Sequence, residues 1–335
     1  MCRLYQRFTL VREGTLERGM MKYINEFREG DHISGIYLCK QKTSAITRNG
    51  KPYDNVLIQD KTGILDAKVW DPNSSGIMDF DAMDYINLQG EVISFSGNLQ
   101  LNIRRVRVAE EGTYAPSDYF PVTRYDRAEM LLKVQELIGT VDNAYLRGIL
   151  ESFFVRDTAF INAFKEHSAA KTVHHGFIGG LLEHTLAVAR LCDHMARSYP
   201  LLKRDLLISA ALLHDIGKVR ELSPFPINDY TDEGQLIGHI VIGAQMVQER
   251  IAMWEDFPPI LAQELLHCIL SHHGELEYGS PKKPSLPEAV ALNLADMTDA
   301  KMETLTELYE ADHGRREWLG FNKLFDANMR RTDEV

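Results

Sequence analysis

Residues 206–218, LLISAALLHDIGK, constrain this chain more than any other stretch. Every residue from 206 to 213 is apolar or small, the pattern of a helix buried on all its faces. The run ends in His214 and Asp215, followed by Gly217 and Lys218. An imidazole and a carboxylate at the end of a buried helix cost free energy unless something binds them. A divalent cation would satisfy them. So would a packed core histidine beside a capping aspartate, and the dipeptide alone leaves both readings open.

A chain of 335 residues has room for two domains, each with its own core. Its 44% hydrophobic and 25% charged residues are those of an ordinary globular protein. A formal net charge of −11 argues against a polycation that coats nucleic acid, though not against a local basic face. Cys2, Cys39, Cys192 and Cys268 form no CxxC pair, which points to reduced thiols and a cytoplasmic location. No apolar stretch approaches the roughly 20 residues of a membrane span. The N-terminus lacks the apolar core of a signal peptide. Residues 1–30 read as an extension, and Met20-Met21 opens the first convincing pattern, a plausible natural start.

From 31 to 110 the texture is that of strands, expected over 33–46, 53–59, 64–70, 85–95 and 99–108. Turn-forming residues separate them, and a short helix is expected near 76–83. Five strands with a helix between the third and fourth is the order of an all-β OB-fold barrel. Such barrels hold single strands through stacked aromatics beside positive charge. Tyr37, Tyr53, Trp70 and Phe95 are the aromatic candidates, with Arg104 foremost among the cations. Each aromatic is equally at home in a core. Arg104, Arg105 and Arg107 cannot all share one face of a regular strand.

Residues 111–124 read as a linker, and from 125 to 335 the period becomes helical, which implies an all-α domain. Amphipathic segments are expected over 127–138, 144–153, 157–167, 177–197 and 235–251, with a helical tail beyond 302. His184, His214, Asp215, His239, His272, His273 and Asp296 each fall on or at the end of a strongly apolar helical segment. Unliganded, they would be a series of unfavourable burials. Imidazole and carboxylate together suit Mn, Fe, Co, Ni or Zn, and the absence of cysteine ligands argues against a closed structural zinc site.

The order of His184, His214-Asp215 and Asp296 resembles that of the HD-domain metal-dependent phosphohydrolases. With the local words HHGFIGGLLEHT, LLHDIGK, SHHGELEYGSP and ADMTDAKM, residues 21–302 resemble the YhaM-type 3′→5′ exoribonucleases, which join an OB domain to an HD domain. The cyclic-dinucleotide phosphodiesterases of the HD-GYP kind share the ligand set, but their extended motif is missing after His273. The resemblance implies two divalent metal ions, manganese foremost. One would be held by His184, His214, Asp215 and Asp296. Asp215 would bridge to the other, held by His239, His272 and His273. It further implies a metal-activated water and a substrate of single-stranded RNA, with DNA as a second substrate.

Lys218 lies four residues after His214, a spacing that suits an ammonium aimed at a phosphate oxygen, or a helix-end lysine on carbonyls. Asp299, three residues after Asp296, is placed to orient a ligand. His174 and His175 stand near the ligand helix, where contact with substrate and a structural role are equally open. His32, His167, His194, His267 and His313 have no constellation around them. The rival functional readings are a hydrolase of a small nucleotide (a dNTP, or a cyclic or signalling nucleotide) and a binding protein with a degenerate site. The sequence leaves the state of assembly open, a homo-oligomer included.

Overall fold

The structure is a computed structural model in which residues 21–171, 175–312 and 316–332 are described. The chain divides into two units, residues 1–119 and 120–335. The proposed start at Met20 and the candidate His174 lie outside the described residues.

The first unit is a closed barrel of β1 (His32–Ile46), β2 (Pro52–Asp60), β3 (Gly63–Val69), β4 (Tyr85–Phe95) and β5 (Asn98–Val108), ordered β1-β2-β3-β5-β4. All neighbours are antiparallel except β3 and β5. That order, with the parallel closure, is the OB-fold. Alternation along β2 and β3 turns Val56, Ile58, Ala67 and Val69 inward, where they are almost wholly buried. The short helix expected near 76–83 is absent. The amide of Met78 and the carbonyl of Gly76 instead bond to the main chain of Val106, so tertiary pairing overrides the local propensity. Ile24 and Phe27, from the presumed extension, pack into the barrel core.

Two departures matter for the outer face. Tyr37 is fully buried; its ring packs edge-on against Phe27 and its hydroxyl donates to the Lys22 carbonyl. It is a core residue, which corrects its candidacy as a stacking platform. On β5, a bulge opposite Gln89 and Gly90 breaks the alternation, and Arg104 and Arg105 both face solvent.

The second unit is helical: α1 (Arg127–Gly139), α2 (Ala144–Phe154), α3 (Thr158–Glu166), α4 (Gly180–Ser198), α5 (Arg204–Leu213), α6 (Lys218–Glu221), α7 (Asp232–Leu236), α8 (His239–Ile251), α9 (Pro259–Leu270) and α10 (Pro287–Ala311). Side chains of Asp126, Asn143 and Asp157 accept from main-chain amides at the starts of α1, α2 and α3, which explains where those helices begin. Every residue of α5 from Leu206 to Leu213 is buried, and α2, α4, α9 and α10 pack around it. The expected helix over 235–251 is broken at Gly238, whose φ of 79° takes it out of the helical region. His239 therefore opens α8 rather than lying within a helix. The helical tail ends at Ala311, and β6 (Trp318–Asn322) pairs with β7 (Ala327–Arg330) in a hairpin that the all-α expectation did not contain.

His167 lies buried between α3 and α4, with Nε2 3.0 Å from the Val219 carbonyl. Burial pulls its pKa from 6.5 down to about 4. The folded chain thus keeps the ring neutral where the unfolded chain binds a proton. Its contribution to stability is complete above about pH 6.5 and is lost as pH falls toward 4, by up to about 3 kcal/mol. In urea unfolding of wild type and His167→Gln, stability of the variant should fall less steeply between pH 7 and 4.5. Parallel pH profiles would refute this assignment.

Candidate active site

The apolar run of α5 delivers His214 and Asp215 into the interior, where they are 0% and 2% exposed. Asp215 Oδ2 lies 3.4 Å from His184 Nε2 and 3.3 Å from His214 Nε2. Its other oxygen, Oδ1, lies 3.5 Å from His239 Nε2 and 3.7 Å from His272 Nε2. Asp296, from α10, stands 3.2 Å from His184 Nε2. His273 joins His239 and His272 in a cluster whose nitrogens lie within 4.8 Å of one another. The same limit holds for the ligand atoms of His184, His214 and Asp296, and for those of His214, Asp215 and His272.

Each imidazole is fixed from behind. Nδ1 of His214 bonds the Ala211 carbonyl at 2.8 Å, that of His272 the Ile269 carbonyl at 2.7 Å, and that of His273 the Tyr278 carbonyl at 2.9 Å. Nδ1 of His184 meets Asp299 at 2.7 Å, and that of His239 meets Glu221 at 2.8 Å. A carbonyl only accepts, so in His214, His272 and His273 a proton sits on Nδ1, which leaves Nε2 as the atom free to offer a lone pair to a cation. Carboxylates impose the same arrangement on the other two rings. This is the outer support that metal-ligating histidines require.

Among the described residues, Asp215 Oδ1, His239 Nε2 and His272 Nε2 are buried with no hydrogen-bond partner. Buried acceptors left facing one another are costly, and a cation satisfies them all at once. The donor set therefore fits a metal centre. The electrostatics differ from ring to ring, and at His184 a cation would have to compete with a proton. Burial opposes charge on His184, yet Asp215, Asp296 and Asp299 outweigh it and raise its pKa well above the ordinary value. Burial lowers that of His272 well below, with His214 and His273 adding to the effect. Burial resists ionisation of Asp215, but Lys218 and His214 hold its pKa far below the usual range.

Lys218 opens α6, after the turn through Gly217, and its ammonium sits 2.7 Å from Asp215 Oδ2. It lines the same cavity as His184, His239, His273 and Asp296. A Cβ on Gly217 would come 2.0 Å from the His239 carbonyl and 2.7 Å from the Gly243 amide nitrogen. Only glycine lets α8 approach closely enough to bring His239 to Asp215. His175 is 2% exposed, with Nε2 3.0 Å from Asp299. It also lines the cavity with His184 and Lys218, and its Nε2 meets the carboxylate that steadies His184. Glu221 went unrecognised in the sequence. It belongs to a one-turn helix without periodicity, and only its place seven residues after His214 hinted at the site.

On the barrel, Tyr53 and Trp70 stack with ring centroids 5.3 Å apart, and Lys68 lies 5.8 Å from the Tyr53 ring centre. Trp70 is 51% exposed and donates from Nε1 to Asn102. Arg104 is exposed and pairs with Glu91 at 2.8 Å. Tyr53 on β2, Trp70 just after β3 and Arg104 on β5 thus lie on the outer surface of the barrel, whereas Tyr37 does not.

Residues 181–301 match the HD domain family. The chain is 35% identical to the 3′-5′ exoribonuclease YhaM of Geobacillus sp. (strain WCH70) over 295 residues, 87% of this chain and 89% of that protein. The chain belongs to the YhaM family. Partial likenesses also exist to the second OB-fold domain of replication protein A from Methanococcus maripaludis, at 15% identity and a TM-score of 0.22, spanning 28% of this chain and 98% of that one. A replication protein A heterotrimer bound to ssDNA matches at 16% identity and a TM-score of 0.20, over 26% of this chain and 64% of that one. The strand order itself, rather than these likenesses, identifies the barrel.

The support that Glu221 gives His239 should be measurable as metal affinity. Glu221→Ala is expected to weaken Mn²⁺ binding by about 10- to 100-fold in calorimetric titration, with Glu221→Gln recovering part of the loss. Unchanged affinity in Glu221→Ala would remove Glu221 from the site.

Proposed function

We propose that this YhaM-family protein is a metal-dependent 3′→5′ exoribonuclease that hydrolyses single-stranded RNA, and single-stranded DNA as a second substrate, to nucleoside monophosphates. The observation that carries the reading is the convergence of imidazole Nε2 atoms on both oxygens of one buried carboxylate, Asp215. One oxygen serves the His184, His214 and Asp296 side, and the other the His239, His272 and His273 side. That division suits two divalent ions sharing Asp215, with manganese our first choice. When bound, such a pair supplies a nucleophilic water at neutral pH and Lewis acidity at the phosphoryl oxygens.

The chain's own residues do the rest. Asp299 and Glu221 hold His184 and His239 in the orientation that presents Nε2 inward. Lys218, whose side chain is 15% exposed, stays within the cavity and offers its ammonium to a non-bridging phosphate oxygen. No serine or cysteine nucleophile is needed. Cys39, Cys192 and Cys268 are all buried, free thiols. They suit the reducing cytoplasm, and among the described residues no helix is long and apolar enough to cross a membrane. On the barrel, Tyr53 and Trp70 offer a stacked pair to the bases, with Lys68 and Arg104 beside it for the backbone.

The decisive experiment is a product time course on 5′-labelled single-stranded RNA with Mn²⁺, run beside Asp215→Ala. A ladder that shortens stepwise from the 3′ end, absent in the variant, is expected. RNA left intact by the wild type would favour the small-nucleotide hydrolase, to be sought with a nucleotide panel. On the barrel, Trp70→Ala should cost about 1–3 kcal/mol of RNA binding in an equilibrium titration. Equal affinity would move the strand to another face.

A further inference from the structure

The cavity that holds the ligand side chains has a second wall that holds none. Its volume is about 270 Å³, at the small end for a small-molecule site. Besides His184, Lys218, His239, His273 and Asp296, it is lined by Ala169, Ala170, Leu222 and Tyr230. Tyr230 is 45% exposed, an aromatic ring with open surface in the cavity that His184, Lys218, His239, His273 and Asp296 also line. Leu222, by contrast, is 2% exposed and forms a firm floor next to it.

This wall is built rather than incidental. Leu222 and Tyr230 pair through an antiparallel bridge, and the Ser223 amide donates to the Asp229 carbonyl at 2.7 Å. Ser168 Oγ donates to Asn228 Oδ1 at 2.7 Å, a buried bond that ties the loop to the segment after α3. Lys171 and Asp229 close the same junction at 2.6 Å. Asn228 turns the chain at a φ of 44°, a left-handed conformation that asparagine tolerates, and the Ser168 bond fixes it there. The next residue but one is Tyr230.

We infer that Tyr230, backed by Leu222 and the small side chains of Ala169 and Ala170, is the platform on which the base of the 3′-terminal nucleotide stacks while its phosphodiester lies at the Asp215 centre. The inference rests on the exoribonuclease reading. Stacking suits an enzyme that must remove whichever nucleotide comes next, because every base presents a π-face and none is excluded by hydrogen-bond pattern. Ala169 and Ala170 leave space for purines and pyrimidines alike. The cavity admits the end of a strand and seats its last base before the bond behind it is cut.

The test uses two RNAs of identical sequence, one ending in a normal nucleotide and one in an abasic ribose, with the full-length protein and Mn²⁺. For the wild type, the abasic end should raise KM by about 5- to 100-fold, the range of a lost base–aromatic stack. In Tyr230→Ala that penalty should vanish, because the platform is gone for both substrates. In Tyr230→Phe it should persist, because the ring remains. A wild type that treats both ends alike would overturn the inference, as would a Tyr230→Ala variant that keeps the full penalty. Failure of the wild type to shorten either RNA would instead overturn the exoribonuclease reading itself, so the two failures are distinguishable.

Discussion

One buried carboxylate organises the helical unit. Asp215 is 2% exposed, and its two oxygens face different sets of imidazoles. Burying a carboxylate costs several kcal/mol unless it is paired. Here Lys218 pairs with one oxygen at 2.7 Å, and the other has no hydrogen-bond partner among the described residues. The fold tolerates that arrangement because α5 is clamped on every side by α2, α4, α9 and α10. The packing free energy of those helices holds the charged cluster where water cannot relieve it. The same exclusion of water strengthens each interaction inside. Stability and chemistry are therefore coupled at one residue: the apolar helix is what makes the polar site possible.

The support around the ligands shows how much positioning is achieved by main chain alone. His214 and His272 are each anchored to a carbonyl three residues earlier in their own helix, Ala211 and Ile269. That bond is available only because the helix ends there and leaves its last carbonyls without amide partners. A histidine at a helix C-terminus is thus oriented by the orphan groups of the helix that carries it. His239 has no such option, because it opens α8, where amides rather than carbonyls are unpaired. It recruits Glu221, which accepts from both its ring and its main-chain amide. His184, in the interior of the first turns of α4, likewise relies on a carboxylate, Asp299. The choice between carbonyl and carboxylate follows from which end of a helix each ligand occupies.

That logic also explains what could be read from the sequence. The histidines and aspartates that the fold gathers around Asp215 were legible as candidates, since such a residue on an apolar helical stripe violates burial rules and stands out. The strands of the barrel were legible from alternation and turn residues. Glu221 was not, because a glutamate in a polar one-turn helix violates nothing. Tyr37 misled because alternation gives the two faces of a strand but not which one turns inward. That was decided by Phe27 and Lys22, which lie before β1 in the sequence. The break at Gly238 was hidden by apolar residues on both sides of it. The helix expected near 76–83 failed because its main chain found a partner at Val106. Long-range pairing of this kind leaves no local mark.

A formal charge of −11 sits uneasily with a polyanionic substrate, and the structure divides the problem into two physical solutions. On the barrel, Lys40, Arg48, Lys51, Arg104, Arg105 and Arg107 are exposed, with Arg104 paired to Glu91, so a local basic surface exists despite the net charge. Stacking on Tyr53 and Trp70 carries no charge requirement, so the proposed grip on the strand draws on the bases as well as on the phosphates. At the active centre the negative charge of Asp215, Asp296, Asp299 and Glu221 far exceeds what Lys218 can neutralise. On the proposed reading, such a site would repel a phosphodiester until divalent cations offset its charge. The cations would thus act first as an admission requirement, and the carboxylates that bar the substrate in their absence are the same groups that hold them. On that reading, binding and catalysis would depend on one event.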